Sequence, residues 1–115
     1  WMLSSTGNKA TVTYISNGAF NAQVRSSTTW AGESANAVLK PEGNPGPNQF
    51  SLKADDDDSL DGAVLVPALY ATFYSGTQTG ESGTTVVSNS LWLKLGSPFT
   101  SGRYDGSIYY GIISQ

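Results

Sequence analysis

Apolar residues recur at every second position in several short runs, and this period of two constrains the fold more than any other feature of the chain. Residues 9–15 (KATVTYI) set Ala10, Val12 and Tyr14 on one face and Thr11 and Thr13 on the other. Residues 20–25 (FNAQVR) turn Phe20, Ala22 and Val24 the same way. Residues 49–54 (QFSLKA) do so with Phe50, Leu52 and Ala54, and residues 91–95 (LWLKL) with three leucines. Side chains alternate across a strand, so each run reads as a half-buried β-strand. Residues 34–40 (SANAVLK) fit either a helical turn or a short strand, and nothing holds a helical period over ten residues.

Turn formers separate the runs. Asn17-Gly18 is a strong two-residue hairpin signal between Ile15 and Phe20. Residues 43–47 (GNPGP) continue neither a helix nor a central strand, and residues 76–83 (GTQTGESG) read as a flexible loop. Residues 64–74 (VLVPALYATFY) are apolar on both faces, as in a central strand. Pro67 has no N–H for the ladder, so a bend, a bulge or a change of sheet is expected there; a helix over residues 67–74 is the alternative. Seven or eight short strands of this kind predict an all-β, immunoglobulin-like Greek-key sandwich, a single domain over residues 1–115.

A chain of 115 residues buries about two-thirds of its unfolded surface, enough for one core without staples. It has no Cys and hence no disulfide. Charged residues are 13%, about half the usual share, and Ser, Thr, Gly and Asn replace them, as on extracellular β proteins. The net charge is −3 and the six cations are scattered, so the clustered Lys and Arg that nucleic acid demands are missing. No apolar run approaches the roughly 20 residues of a membrane helix. The chain opens on Trp1, so loss of a signal peptide, a tag or a longer N-terminus is expected, unless Met2 is the start behind one added residue.

The residue types needed for most catalysis are missing. Without His or Cys there is no Ser-His-Asp triad, no Cys-His pair and no His or Cys metal site. No Ser-x-x-Lys spacing occurs. Glu33, Glu42, Glu81 and Asp105 are isolated in polar or turn contexts and read as solvated charges, not a glycosidase pair. No enzyme activity and no cofactor are expected. Residues 55–61 (DDDDSLD), followed by Gly62, are the one metal-like feature, with Asp57 and Asp61 as weak Ca²⁺ candidates. A full EF-hand is rejected, because position twelve counted from Asp57 is Ala68. The other reading is an acidic loop that keeps sheet edges apart. Trp30 and Trp92 are either core residues or a sugar-stacking platform. Trp92 is opposite in phase to Leu91, Leu93 and Leu95, so one of those faces is expected to be exposed or to meet a partner.

The last stretch, residues 98–115 (PFTSGRYDGSIYYGIISQ), alternates from Tyr104 onward. Tyr104, Gly106, Ile108, Tyr110 and Ile112 fall on one face, and Tyr109, Gly111 and Ile113 on the other. Ser101-Gly102-Arg103-Tyr104, leading into this strand, resembles the chaperone–usher pilins, most closely their non-classical branch without a disulfide. The similarity covers about 18 residues at the C-terminal end of the chain. It implies an incomplete sandwich, completed first by a periplasmic chaperone and then by a strand donated from the neighbouring subunit. Tyr104, Gly106, Ile108, Tyr110 and Ile112 would then border the groove. Ala10, Val12 and Tyr14 would form the donor, unless that run is the first core strand. The resemblance further implies an outer-membrane usher, export through the periplasm to the bacterial cell surface, and a host receptor or glycan as target. Two other readings fit the residues: a carbohydrate-binding module of a secreted protein, and a structural immunoglobulin-like domain of a phage or surface-layer particle.

Overall fold

The computed structural model describes residues 1–3, 10–79 and 83–115. Lys9, Glu81 and part of the 76–83 loop lie outside the described residues. The strands are β1 (Met2–Leu3), β2 (Ala10–Tyr14), β3 (Phe20–Ser26), β4 (Thr29–Gly32), β5 (Ala37–Leu39) and β6 (Gln49–Asp55). They continue with β7 (Val64–Leu65), β8 (Ala71–Gly76), β9 (Thr85–Leu95), β10 (Tyr104–Asp105) and β11 (Ile108–Ser114). There is no helix among the described residues.

The strands form two sheets. The larger runs β1-β9-β6-β5-β4-β10, with β2 also on β9 and β7 also on β6. The smaller runs β11-β3-β8. Pairing is antiparallel except between β5 and β6, where Val38 and Leu39 run parallel to Gln49 and Phe50. The molecule is thus all-β with mixed sheets, arranged like a sandwich.

The inward residues of the alternating runs make the core. Phe20, Ala22 and Val24 from the small sheet are fully buried, and they share one cluster with Phe50, Leu52, Ala54 and Val87 from the large one. A fully buried Phe, Leu or Val contributes roughly 1.5–3 kcal/mol, so this face-to-face contact is the main stabilising term. Tyr14 and Phe20 stack at 5.4 Å, one ring from each sheet.

That stack explains why Asn17-Gly18 closes no hairpin. β2 pairs with β9, whereas β3 pairs with β11 and β8, so the turn carries the chain from one sheet to the other. A two-residue primed turn needs positive φ at its centre, and neither Asn17 nor Gly18 has it. The Ser16 hydroxyl holds the turn instead, donating to the Gly18 carbonyl at 2.7 Å. Pro67 marks a second crossing of the expected kind: β7 lies on the large sheet and β8 on the small one. Within residues 34–40 the short strand is the alternative realised, as β5 over Ala37–Leu39.

Candidate strand-binding groove

The C-terminal stretch passes from one sheet to the other. β10 pairs with β4, Tyr104 opposite Gly32, at the edge of the large sheet. β11 pairs with β3, Ile108 opposite Ser26 through Ser114 opposite Phe20, at the edge of the small sheet. The expectation of a single face from Tyr104 to Ile112 is therefore corrected: residues 106–107 interrupt the strand. The cause is local. Gly106 lies so close to the Trp30 indole that a Cβ there would overlap the ring. Within β11 the alternation holds at first, with Ile108 and Tyr110 packed on the core and Tyr109 exposed. At the far end Ile112 and Ile113 are both about half exposed.

Two apolar pockets open on the large sheet near the start of β11. One, of about 460 Å³, is walled by Trp30, Phe50, Leu93, Leu95, Phe99 and Tyr104, with residues 100–102 at its rim. The other, of about 360 Å³, is walled by Met2, Leu3, Leu52, Leu91, Trp92 and Ile108. Trp30 and Leu93 belong to both, so the pockets abut. Leu91, Leu93 and Leu95 of β9 thus line an open apolar groove, with Trp92 also reaching the second pocket.

The walls are built from neighbours in the chain and from one special residue. Trp30 leans on Phe50 at 4.2 Å. Tyr104 packs on Phe99 at 5.1 Å, and its hydroxyl donates to the Thr100 carbonyl at 2.6 Å, closing the Gly102-containing loop on itself. Asn48 anchors that loop to the body. Its φ is +52°, a conformation Asn tolerates better than most residues. Its Nδ2 donates to the Asn36 carbonyl at 2.6 Å, and its Oδ1 accepts from the Thr100 N–H at 2.8 Å.

Three buried polar atoms have no hydrogen-bond partner among the described residues: Trp30 Nε1 at the groove, and Tyr110 Oη and Tyr14 Oη, which line neither pocket. Burial raises the pKa of both phenols, and for Tyr110 the nearby Tyr14 adds to the rise. Buried polar groups are normally paired, so these three are unfinished business in the isolated chain. The outer edge of β11 is unfinished too. Its one neighbour is β3, and no described strand covers its other side.

The structure gives other homes to several expected site residues. Ala10, Val12 and Tyr14 form β2, paired within the chain to β9 from Asn89 to Thr85. Tyr14 is buried against Phe20. This run is paired as a core strand within its own chain and is not a free donor. Trp92 is only 4% exposed, so beyond its share in the wall of the second pocket it offers no stacking platform to a ligand. It sits beside Lys53 in the ladder, and Lys53 and Lys94 both approach the Trp1 ring, at 4.9 and 5.8 Å. Trp1 and these two lysines thus lie on the face that alternation alone would leave in solvent. Trp30 does reach the surface, but as a groove wall.

The acidic run gathers Asp55, Asp56 and Asp57, whose carboxylate oxygens lie within 4.8 Å of one another; Asp61 is not among them. Asp55 closes β6 and is 8% exposed. Its carboxyl is pushed up to about 6, mainly by burial, then by its side-chain hydrogen bond with Asp56 and the charges of Asp57 and Asp56, against a lowering backbone hydrogen bond from Asp56. The Ser59 N–H donates to Asp57 Oδ1 within the loop, and the Ser90 hydroxyl of β9 donates to Asp58 Oδ1, tying the loop to the large sheet. No described helix is long and apolar enough to cross a membrane. Comparison of the chain with family models, with curated proteins and with solved structures found no match.

Proposed function

We propose that this protein is a structural and adhesive subunit of a bacterial surface fibre, assembled by strand donation between neighbouring copies. In this reading the chain is an incomplete immunoglobulin-like Greek-key sandwich. The donated strand adds to the free edge of β11 and lays alternate side chains into the two apolar pockets. Such an addition draws affinity from backbone hydrogen bonds and specificity from the pockets. A periplasmic chaperone and an outer-membrane usher are its expected handlers, and the bacterial surface its destination. The work is mechanical, with no turnover and no cofactor.

The observation that carries the reading is the apolar groove along Trp30 and Leu93, which meets β11 at Ile108, the first residue of a strand whose outer edge no described strand covers. Open edges and apolar clefts invite association, and soluble chains normally blunt them. Because residues 10–14 serve the chain's own core, the donor in this account is another segment.

The natural, full-length protein run unheated on an SDS gel tests the proposal. Strand-exchanged polymers are kinetically stable, so a ladder is expected that collapses to one band on boiling. A single monomer band before heating contradicts it and favours a self-contained binding module.

A further inference from the structure

The outer face of the small sheet carries a cluster that strand donation does not use. Asn21, Gln23 and Arg25 point outward from β3, opposite in phase to buried Phe20, Ala22 and Val24. The ladder sets Tyr109 of β11 opposite Arg25, and Gly111 opposite Gln23. The Arg25 guanidinium lies 3.9 Å from the centre of the Tyr109 ring and 5.4 Å from that of Tyr70. Gly111 makes the second contact feasible: a Cβ there would come within 3.3 Å of the Tyr70 ring, so a larger residue would push Tyr70 aside. Both rings remain substantially exposed, Tyr70 at 44% and Tyr109 at 40%.

Arg25 also differs from the other described cations. Lys40 lies near Glu42 and Arg103 pairs with Asp105, while Lys53 and Lys94 face Trp1. No carboxylate among the described residues pairs with Arg25, and the Gln23 side chain beside it has no hydrogen bond there. Rings against the guanidinium leave its N–H edge as the open donor, and that edge matches a carboxylate bidentately. Exposed rings with polar tips suit the C–H face of a sugar. The net charge of the chain is −3, so attraction for an anion must be local to this cluster rather than a property of the whole field.

We propose that Arg25, Tyr70 and Tyr109 form a binding site for an acidic saccharide, a pyranose bearing a carboxylate. Arg25 takes the carboxylate, the two rings stack on the sugar, and Gln23 reaches its hydroxyls. The site lies on a sheet face rather than on the β11 edge, so it stands independently of strand donation.

Calorimetric titration with a galacturonic acid oligomer and with sialyllactose tests this, with a neutral mannose oligomer and poly-glutamate as competitors. Binding of either acidic sugar, at least tenfold tighter than both competitors, is expected. Arg25→Gln should lose at least tenfold of that affinity, and Arg25→Lys should recover only part, having charge without the fork. Tyr70→Ala removes an exposed ring outside the core, so it tests the stacking without risk to the fold; thermal melts verify the Arg25 variants. Equal binding of poly-glutamate or of the neutral sugar overturns the proposal. So does a folded Arg25→Gln or Tyr70→Ala variant that binds like the parent, and so does absence of binding by both acidic sugars.

Discussion

Gly106 lies flat against the indole of Trp30, with no space for a Cβ between them. This contact is where the C-terminal chain leaves the large sheet and enters the small one, and it shapes the wall shared by both halves of the groove. Gly106→Ala must therefore displace Trp30 or the strand crossing. Overpacking of this kind costs about 1–3 kcal/mol. Chemical denaturation should show a loss in that range, accompanied by a shift in Trp fluorescence. An unchanged midpoint would mean that the crossing is looser than described.

The two turn glycines separate a crossing between sheets from a hairpin. Gly18 has no positive φ and an open space where a Cβ would go, so Gly18→Ala should be neutral to slightly stabilising, within about 1 kcal/mol. Gly62 has φ +84°, and the same substitution there should destabilise by about 1 kcal/mol or more. A large loss at Gly18 would argue for a primed hairpin turn after all.

Asp55 gives the fold a pH dependence of definite sign. Its carboxyl is raised from 3.8 to about 6 in the folded chain, so the folded state holds the proton more tightly than the unfolded one. The associated stability is fully present below about pH 4 and is lost as pH rises through about 6. Asp55→Asn removes this loss. It should raise stability at pH 7 by roughly 1–2 kcal/mol and should gain much less at pH 4. Thermal melts across pH 4–8 check the trend, and an equal effect at both ends would contradict it.

The unpaired phenols predict an unusual response to deletion of a hydroxyl. Tyr14→Phe and Tyr110→Phe each remove a buried oxygen with no partner, so each should be neutral or stabilising by up to about 1–2 kcal/mol in the isolated chain. Phe20→Ala, which empties the centre of the core, should cost about 3–5 kcal/mol. Denaturation midpoints of the three variants give the comparison. A clear loss for both Tyr variants would reveal a hydrogen bond to these phenols.

Much of the architecture was legible in the period of two. The inward residues of β3 and β6, and the bare fact that residues 91–95 and 108–113 are strands, follow from side-chain alternation, and Pro67, lacking an N–H, pointed to a bend, a bulge or a change of sheet, of which the last is realised. What alternation cannot supply is the partner of each strand. Asn17-Gly18 looks the same between paired strands and between sheets. Trp92 is outward by parity yet buried, because distant residues cover that face. The strand read as continuous from Tyr104 breaks at Gly106 because of Trp30, a residue of another strand. The Arg25, Tyr70 and Tyr109 cluster escaped notice for the same reason: only the β11–β3 register and the crossing after Pro67 bring its members together.

The free edge of β11 is the centre of the account, and amide hydrogen exchange reads it directly. In the isolated chain, the alternate β11 amides that point away from β3 should exchange quickly, while those bonded to β3 are protected. In assembled fibres both sets should become protected, because a donated strand covers the edge. Outward amides already protected in the monomer, or still exchanging freely in the assembled form, would contradict strand addition at β11.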